Sequence, residues 1–337
     1  MVIGQFLRML PKEIQDILDQ QGLELIEILQ RPDTRRRRFY NLRVKSLSSK
    51  ILGSRDLVLK IFGRGDLNVL SGFEKEAEFL DLVGERGSDS FRSYIPRFVK
   101  RGGGLHPWYL REYVKGDFLG DICLDFGIRK ELLTPALKEE FLAFFAGLRV
   151  FSQGVSQTGF FSSLSPHGYE WYENDRNFYR EHLRSRTTNH SNLTGGILKE
   201  KGDVLDRGAN YLVHGDLYLK NMFWNGRKLS ITDWELLHRG NFAFDIGFIW
   251  LFSFRNIAWR RKFLSDFRRG LSRRERAVFD GVFPVVKISL ALRFIRHSEI
   301  MEEMTTGEAL GNARKAKEAH FEVLQEVLDN YRVSTNH

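Results

Sequence analysis

The chain has 337 residues, 42% of them hydrophobic, so it can bury a large core and is long enough to form two lobes. Its single cysteine, Cys123, excludes an intramolecular disulfide and a cysteine metal cage, and we expect a reducing, cytoplasmic location. The net charge of +9 favours anionic partners by long-range attraction: phosphorylated metabolites, nucleic acid or an anionic membrane surface.

The first predicted elements are two strands, around 23–29 and 39–44. The segment between them, 31–38, ends in four consecutive arginines at 35–38 and contains no glycine-rich GxGxxG phosphate loop. These arginines could reach phosphates or an anionic substrate. A run of this kind is more often a solvated loop, and we favour that interpretation.

The next strand, 57–62, has apolar residues on both faces and is interrupted by Lys60. A buried ammonium group needs an anion, because burying it without a partner is prohibitive. Downstream, the stripe Phe73, Glu76, Ala77 and Leu80 has the spacing of one helix face, so Glu76 borders the buried side of a helix. We therefore predict that Lys60 and Glu76 pair.

Two further strands, 97–99 and 108–114, are joined through the flexible glycine run 102–104. After them, the aromatic and charged stretch 169–180 has helical spacing, and we interpret it as core and not as a ligand platform. The carboxyl-terminal part is predicted to be largely helical, with an apolar stripe over 321–331.

Two short motifs carry the chemistry: HGDLYLKN, with Asp216 and Asn221, and TDWE, with Asp233. The Asn225-Gly226 pair predicts a hairpin that returns Asp233 beside Asn221. An amide oxygen and a carboxylate are suitable ligands for a hard cation such as Mg²⁺. Asp216 is then left to accept a proton, and this set of groups is what phosphoryl transfer requires.

The segment 214–235, with the FDIG sequence at 244–247 behind it, resembles the aminoglycoside phosphotransferase and choline kinase family. The family pattern is HGDLHxxN, a short hairpin, and then DWE or DFE. The resemblance implies an α+β, two-lobed protein-kinase-like fold, with a small antiparallel-sheet N-lobe and a larger, mainly helical C-lobe. It also implies that ATP and Mg²⁺ are used, that Asp216 is the base, that Asn221 and Asp233 hold Mg²⁺, and that Asp245 is an internal structural acid.

For the N-terminal half, the resemblance implies that Lys60 and Glu76 position the α- and β-phosphates. The strand ending at 114 resembles the interlobe hinge, so the backbone carbonyl of Glu112 and the amide of Val114 would address adenine. The predicted lobes are 1–113 and 114–337.

Two positions within the first motif depart from the family pattern. Tyr218 stands where the family usually has His, and Lys220 precedes Asn221. These departures affect which side chains would stabilise the transferred phosphoryl group.

The leading hypothesis is an ATP- and Mg²⁺-dependent kinase that acts on a hydroxyl of a small molecule such as a sugar or an aminoalcohol, including anionic acceptors. Two alternatives stay open: a kinase of a lipid-linked sugar at the membrane face, with peripheral membrane contact, and a catalytically silent nucleotide-binding scaffold. A nucleic-acid partner is not expected, because no binding motif with base-stacking aromatic residues is apparent. The basic residues fall in separate clusters at 35–38, 260–262, 268–269 and 273–276, which we interpret as scattered charge. The longest apolar run, 246–254, is too short to span a bilayer.

Overall fold

The computed structural model describes residues 10–32, 39–47, 56–63, 66–121, 124–182 and 188–335. The chain divides into two compact units: a first unit of Met1–Lys115 with Ser230–Glu235, and a second unit of Gly116–Leu229 with Leu236–His337. The arginine run 35–38 and Cys123 lie outside the described residues.

The first unit is built on a five-stranded antiparallel sheet in the order β1-β2-β3-β5-β4. The predicted small antiparallel sheet is therefore confirmed. Its strands are β1 (Leu23–Gln30), β2 (Phe39–Ser46), β3 (Asp56–Phe62), β4 (Phe98–Gly102) and β5 (Trp108–Glu112).

One face of this sheet packs on helix α1 (Lys12–Gln21), whose buried residues Ile14 and Leu18 share a core with alternate residues of β3. Those β3 residues are Leu57, Leu59 and Ile61. Since successive side chains of a strand point to opposite faces, Lys60 projects from the other face of the sheet.

Helix α2 (Leu67–Arg86) lies on that second face and is followed by the short helix α3 (Asp89–Arg92). Helix α2 begins after Asp66, whose carboxylate accepts hydrogen bonds from the first free backbone N–H groups of the helix. Its residue Phe73 stacks on Phe39 of β2, with ring centroids 5.7 Å apart. The predicted stripe is buried, including Glu76, so the helix presents a carboxylate towards the sheet.

The second unit is mainly helical. In the part of it that the structure describes, two short antiparallel strand pairs, β6 with β8 and β7 with β10, accompany nine α-helices. The helices are α4 (Pro135–Val155), α5 (Gly159–Ser163), α6 (Tyr169–His182), α7 (Thr188–Glu200), α8 (Gly202–Gly208), α9 (Ala243–Phe252), α10 (Ile257–Arg269), α11 (Arg273–Met304) and α12 (Gly307–Thr335). The strands are β6 (Asp117–Phe118), β7 (Tyr211–Val213), β8 (Met222–Trp224) and β10 (His238–Gly240), with 3₁₀ turns at Lys130–Leu132 and Leu219–Asn221.

Helix α9 forms the centre of the second unit, since all ten of its residues are buried. A helix that is apolar on every side is a core helix. Helix α11, at 32 residues, starts with a capping box between Ser272 and Glu275 and continues through Pro284. None of the described helices combines the length and the apolar character that crossing a bilayer requires.

The predicted turn at Asn225-Gly226 is confirmed. It follows β8, and Gly226 has a positive φ of 89°. The side-chain oxygen of Asn225 accepts hydrogen bonds from the backbone N–H groups of Arg227 and Lys228 at 3.0 and 2.8 Å. The chain then continues through β9 (Leu229–Ile231), and with Ser230 it enters the first unit.

Candidate functional site

The first unit contains a cluster of one ammonium group and three carboxylates. Lys60 Nζ lies 2.6 Å from Glu76 Oε2 and 2.9 Å from Asp233 Oδ1, and it also contacts Glu235 Oε1. Three of the four side chains are largely withdrawn from solvent, whereas that of Asp233 is 45% exposed. Asp233 is therefore the member of the cluster that faces solvent.

Glu76 is the structural centre of this cluster because both of its oxygens are used. Oε2 accepts from Lys60, and Oε1 accepts from the backbone N–H of Trp234 at 3.1 Å. The Trp234 ring packs on Phe79, one turn further along α2, with ring centroids 4.3 Å apart. Helix α2 thus holds both the lysine and the TDWE segment.

The backbone at Asp233 adopts a conformation that few residues other than glycine take. Its φ is +68°, in the left-handed region. Aspartate and asparagine tolerate that region better than other side chains, and such strain concentrates at functional positions. The turn brings both carboxylates that flank Trp234 to Lys60 Nζ.

The electrostatics of the cluster are dominated by the excess of carboxylates. Burial alone would lower the pKa of Lys60, but Asp233, Glu235 and Glu76 outweigh burial and raise it well above its ordinary value. Burial raises the pKa of Glu235, and Lys60 opposes that rise. The ligand oxygens of the three acids lie within 4.8 Å of one another. This donor set fits a hard divalent cation such as Mg²⁺, which would also balance the excess negative charge.

The second unit contains the other predicted pair, Asp216 and Asn221. Asn221 Nδ2 donates to the backbone carbonyl of Asp216 at 2.8 Å and to Asp216 Oδ2 at 3.2 Å. The short 3₁₀ turn at Leu219–Asn221 creates this contact, because it folds Asn221 back over the start of the loop. Both hydrogen bonds use the amide nitrogen, whereas the amide oxygen Oδ1 is the atom of this side chain that can act as a cation ligand.

Asp245, at the start of α9, holds the backbone of this loop. Its Oδ2 accepts from the N–H of His214 at 2.8 Å and its Oδ1 from the N–H of Gly215 at 3.1 Å. Burial raises the pKa of Asp245 to about 7, although the two hydrogen bonds act to lower it. The loop is tight at Gly215, where φ is +81° and a Cβ atom would lie 2.6 Å from the carbonyl oxygen of Leu236.

The structure shows what Tyr218 and Lys220 contact in the second unit. The Tyr218 ring packs against Phe248 and Phe294, with centroids 5.6 and 5.7 Å away. Burial raises the pKa of Tyr218, Arg293 lowers it and Asp216 raises it further, so we expect the phenol to stay protonated. Lys220 Nζ lies 2.9 Å from Asp121 Oδ2, and both side chains are partly exposed.

The sequence analysis missed an ion pair near Tyr218 whose two side chains are largely withdrawn from solvent. Arg293 Nη2 donates to Asp175 Oδ1 at 3.1 Å, and Ser289 Oγ donates to the other oxygen of the same carboxylate. Burial would lower the pKa of Arg293, but Asp175 outweighs it and raises that pKa. Arg293 interrupts an apolar run as Lys60 does, so the same rule, that a buried cation needs an anion, could have found it.

The two predicted hinge residues lie at and just after the end of β5 in the first unit. Glu112 is the last residue of β5, and its backbone N–H donates to the carbonyl of Arg97 at 2.9 Å. Its carbonyl oxygen accepts from Arg111 Nη1 at 3.2 Å. Val114 lies two residues further on, outside regular structure and half-buried.

Lys60, Glu76 and Asp233 are thus grouped in the first unit, and Asp216 and Asn221 in the second. The expected position of Asp233 beside Asn221 stays a prediction.

Comparison with known proteins identifies the family of the chain and relates its fold to solved structures. Residues 48–282, more than half of the chain, match the model of the phosphotransferase enzyme family (APH). No curated protein was found to match the chain.

Among solved structures, the aminoglycoside phosphotransferase APH(4)-Ia is similar, with a TM-score of 0.59 at 13% identity over 93% of this chain and 97% of that chain. A putative aminoglycoside phosphotransferase from Ralstonia eutropha JMP134 gives a TM-score of 0.58 at 12% identity over 94% and 97% of the two chains. The amicoumacin kinase hAmiN gives 0.56 at 14% identity over 94% of each chain. These likenesses confirm the predicted kinase-like fold.

The fold and the family match together define the class of protein. The chain belongs to the phosphotransferase enzyme family. It is an enzyme of the kinase type, as the HGDLYLKN and TDWE motifs predict.

Proposed function

We propose that this protein transfers the γ-phosphoryl group of ATP to a hydroxyl group of a small molecule and requires Mg²⁺. The observation that carries the proposal is the cluster of Lys60, Glu76 and Asp233, three residues that the sequence separates widely and the first unit brings within hydrogen-bond distance. The pairing of Asp216 with Asn221 in the second unit supports it.

In the proposed reaction, the acceptor oxygen attacks the γ-phosphorus and the bond from that phosphorus to the β,γ-bridging oxygen breaks, releasing ADP. Asp216 accepts the proton of the acceptor hydroxyl and orients its oxygen. Asn221 stabilises the Asp216 carboxylate through the hydrogen bond from Nδ2 and, by this proposal, is a metal ligand through Oδ1, with Asp233 as the second ligand. Mg²⁺ supplies neutralisation of the phosphate charge.

The residues of the first unit would bind the nucleotide. Lys60, positioned by Glu76, would contact the α- and β-phosphates, and the backbone of Glu112 and Val114 would bind adenine. The solved relatives support a nucleotide and a divalent metal: complexes of APH(4)-Ia contain ADP or AMP-PNP together with hygromycin B, and that of hAmiN contains AMP-PNP and Ca²⁺. A small-molecule acceptor is proposed for this chain on the same basis.

The test is an acceptor screen that follows ATP consumption with Mg²⁺ over sugars, aminoalcohols, nucleosides and aminoglycosides. We expect turnover with one of these classes and its loss in Asp216→Asn, which keeps the size of the side chain but cannot accept the proton. Asp203→Asn, which changes an exposed acid of the second unit, is the matched control and should keep full activity. Normal turnover in Asp216→Asn would overturn the assignment of the base.

A further inference from the structure

A cavity of about 650 Å³ lies in the second unit among α9, α10, α11 and α12. Among the described residues, Glu326 is the one acid in its lining. The cations that line it are Arg260, Arg261, Arg268, Arg269, Arg276 and Lys287. The cavity wall is therefore strongly positive.

The fold gathers charges that are separate in the sequence. The basic clusters 260–262, 268–269 and 273–276, which we expected to be scattered, each contribute to this one wall. The reason is the connection from α10 to α11, which leaves α10 at Gly270 and starts α11 at Arg273. That expectation was wrong, because spacing along the chain does not show which helix faces converge.

Only part of this charge is neutralised by nearby acids. Arg268 lies 2.7 Å from Asp280, and Arg269 lies 3.2 Å from Asp266. Asp266 is shared, since Lys138 and Lys262 contact the same carboxylate. The acids around the cavity are therefore fewer than the cations that they face.

Arg260 and Lys287 both lie over the ring of Trp250, which also lines the cavity. The guanidinium carbon of Arg260 lies 4.1 Å from the ring centroid of Trp250, and Lys287 Nζ lies 5.5 Å from the same ring. The Arg260 Nε atom is buried and, within the described part of the chain, has no hydrogen-bond partner. Glu326 lies 3.8 Å from Lys287, at the long end of an ion pair.

Two of the lining cations, Arg260 and Lys287, are half-buried, and their pKa values respond both to burial and to neighbouring charges. Burial lowers the pKa of Lys287, Glu326 opposes that lowering, and Arg260 adds to it. Burial also lowers the pKa of Arg260; Glu326 and Glu322 oppose that lowering, and Arg261 adds to it. An anion bound here would relieve this repulsion.

The cavity is distinct from the catalytic loop, although both involve α9. Asp245 holds the loop, whereas Trp250 lines the cavity. Five residues along an α-helix correspond to a rotation of about 500°, so these two side chains leave α9 about 140° apart. The two sites therefore use different faces of one buried helix.

We propose that this cavity binds a phosphorylated ligand, a phosphomonoester or a diphosphate, at a site separate from the catalytic loop. Guanidinium groups recognise phosphate by paired, charge-assisted hydrogen bonds, which makes several arginines around one concavity suited to phosphate oxygens. The volume lies in the range of small-molecule sites. The ligand is an organic phosphate in solution or the phosphate head group of a lipid, and the experiment separates these sources.

The first experiment titrates the full-length protein with pyrophosphate by calorimetry, with EDTA present so that no metal can mediate binding at a nucleotide site. The double variant Arg261→Gln/Arg269→Gln removes two cations of the wall. Lys262→Gln/Arg273→Gln is the matched control, because it removes one cation of α10 and one of α11 that do not line the cavity. Lys262, like Arg269, contacts Asp266. We expect the wall variant to weaken binding about tenfold or more and the control by about twofold at most.

Equal weakening in both double variants would overturn the proposal, since it would reflect only the net charge of the protein. Absence of binding to pyrophosphate and to anionic vesicles would also overturn it. A second readout is tryptophan fluorescence: a ligand-induced change should vanish in Trp250→Phe while calorimetric binding persists.

Cosedimentation with vesicles of phosphatidylcholine, with and without phosphatidic acid, distinguishes the two sources of the phosphate. Sedimentation that requires phosphatidic acid, is reversed by pyrophosphate and is lost in the wall variant assigns a lipid head group. Binding of pyrophosphate without sedimentation assigns a soluble phosphate ester. Both results support the site.

Discussion

Glu76 and Lys60 form a buried ion pair with the carboxylate oxygen and the ammonium nitrogen 2.6 Å apart, and the side chains are 1% and 4% exposed. The second oxygen of Glu76 accepts from the Trp234 N–H, so the acid joins the central strand of the sheet to the TDWE segment. The pair therefore has both a structural role and a proposed nucleotide-binding role, which two separate measurements on one variant can distinguish.

Glu76→Gln should weaken both roles. A glutamine side chain offers one acceptor oxygen to two donors, and the loss of one buried hydrogen bond lowers the free energy of unfolding by about 1–3 kcal/mol. Lys60 would then be drawn towards Asp233 and Glu235, so we expect the KM for ATP to rise about tenfold. Kinetics and urea unfolding measure the two effects.

Glu78→Gln is the control for this change, because Glu78 is an exposed acid two residues further along α2. It should change neither the free energy of unfolding nor the KM for ATP. An unchanged KM for ATP in Glu76→Gln would contradict the proposed role of the pair.

Asp233→Asn should remove metal-dependent nucleotide binding without straining the backbone. Asparagine tolerates a φ of +68°, whereas alanine there would add a backbone cost of about 1 kcal/mol. We expect the thermal shift produced by ATP with Mg²⁺ to disappear in Asp233→Asn. Asp89→Asn, which changes an exposed acid of the first unit, is the control and should keep the thermal shift. A thermal shift that persists in Asp233→Asn would argue against the metal role of Asp233.

Gly215→Ala should disrupt the loop that carries Asp216. The added Cβ would lie 2.6 Å from the Leu236 carbonyl oxygen and 2.8 Å from His238 Nδ1, in a backbone with φ of +81°. Gly226→Ala is a precise comparison, because φ is +89° there but no atom lies within 4 Å of the new Cβ.

The difference between these two variants isolates the steric effect. We expect Gly226→Ala to cost about 1 kcal/mol, the backbone cost alone, and Gly215→Ala about 3 kcal/mol with loss of turnover. Chemical unfolding and activity assays measure both. Similar costs at the two positions would show that the close contacts relax freely.

His320 on α12 should make the second unit sensitive to acid. Its side chain is 2% exposed and packs 5.5 Å from the Phe294 ring, and neither ring nitrogen has a hydrogen-bond partner within the described part of the chain. Burial lowers the pKa of His320 to about 3, helped by Arg260 and His297. Between pH 6.5 and 3, His320 is therefore protonated in the unfolded chain but neutral in the folded chain. The titration of His320 therefore costs no stability above pH 6.5, and it lowers the free energy of unfolding progressively as the pH falls from 6.5 towards 3.

His320→Leu removes this loss, since leucine does not titrate and needs no hydrogen bond. Each pH unit below 6.5 corresponds to about 1.4 kcal/mol, so the advantage of the variant over the wild type should be about 2 kcal/mol larger at pH 5 than at pH 8. Urea unfolding at both pH values measures the difference. An advantage that does not change with pH would show that His320 is protonated in the folded protein.

The parts of the fold set by local rules were predictable. The continuous apolar run 57–62 indicated a strand interrupted by Lys60, the spacing from Phe73 to Leu80 indicated a helix that buries Glu76, and Asn225-Gly226 indicated a turn. Each of these depends on residues that are near in sequence, and the structure contains all three.

What could not be predicted depends on contacts between distant residues. Glu235 reaches Lys60 only because Asp233 adopts a left-handed backbone, and the two partners are 175 residues apart. Asp175 and Arg293 are 118 residues apart on different helices. The basic cavity likewise arises from helix packing, which composition does not encode.

The first unit is not one continuous piece of chain, because Ser230–Glu235 belongs to it. A protein fragment that ends at Lys115 would lack the indole that covers Phe79 and two of the carboxylates that surround Lys60. Dissection at that point would therefore give an incompletely folded product, which a synthetic peptide spanning 230–235 should complement in trans. For the same reason, exchanging this part between relatives requires two crossovers, one on each side of the hexapeptide 230–235, in addition to the one near residue 115.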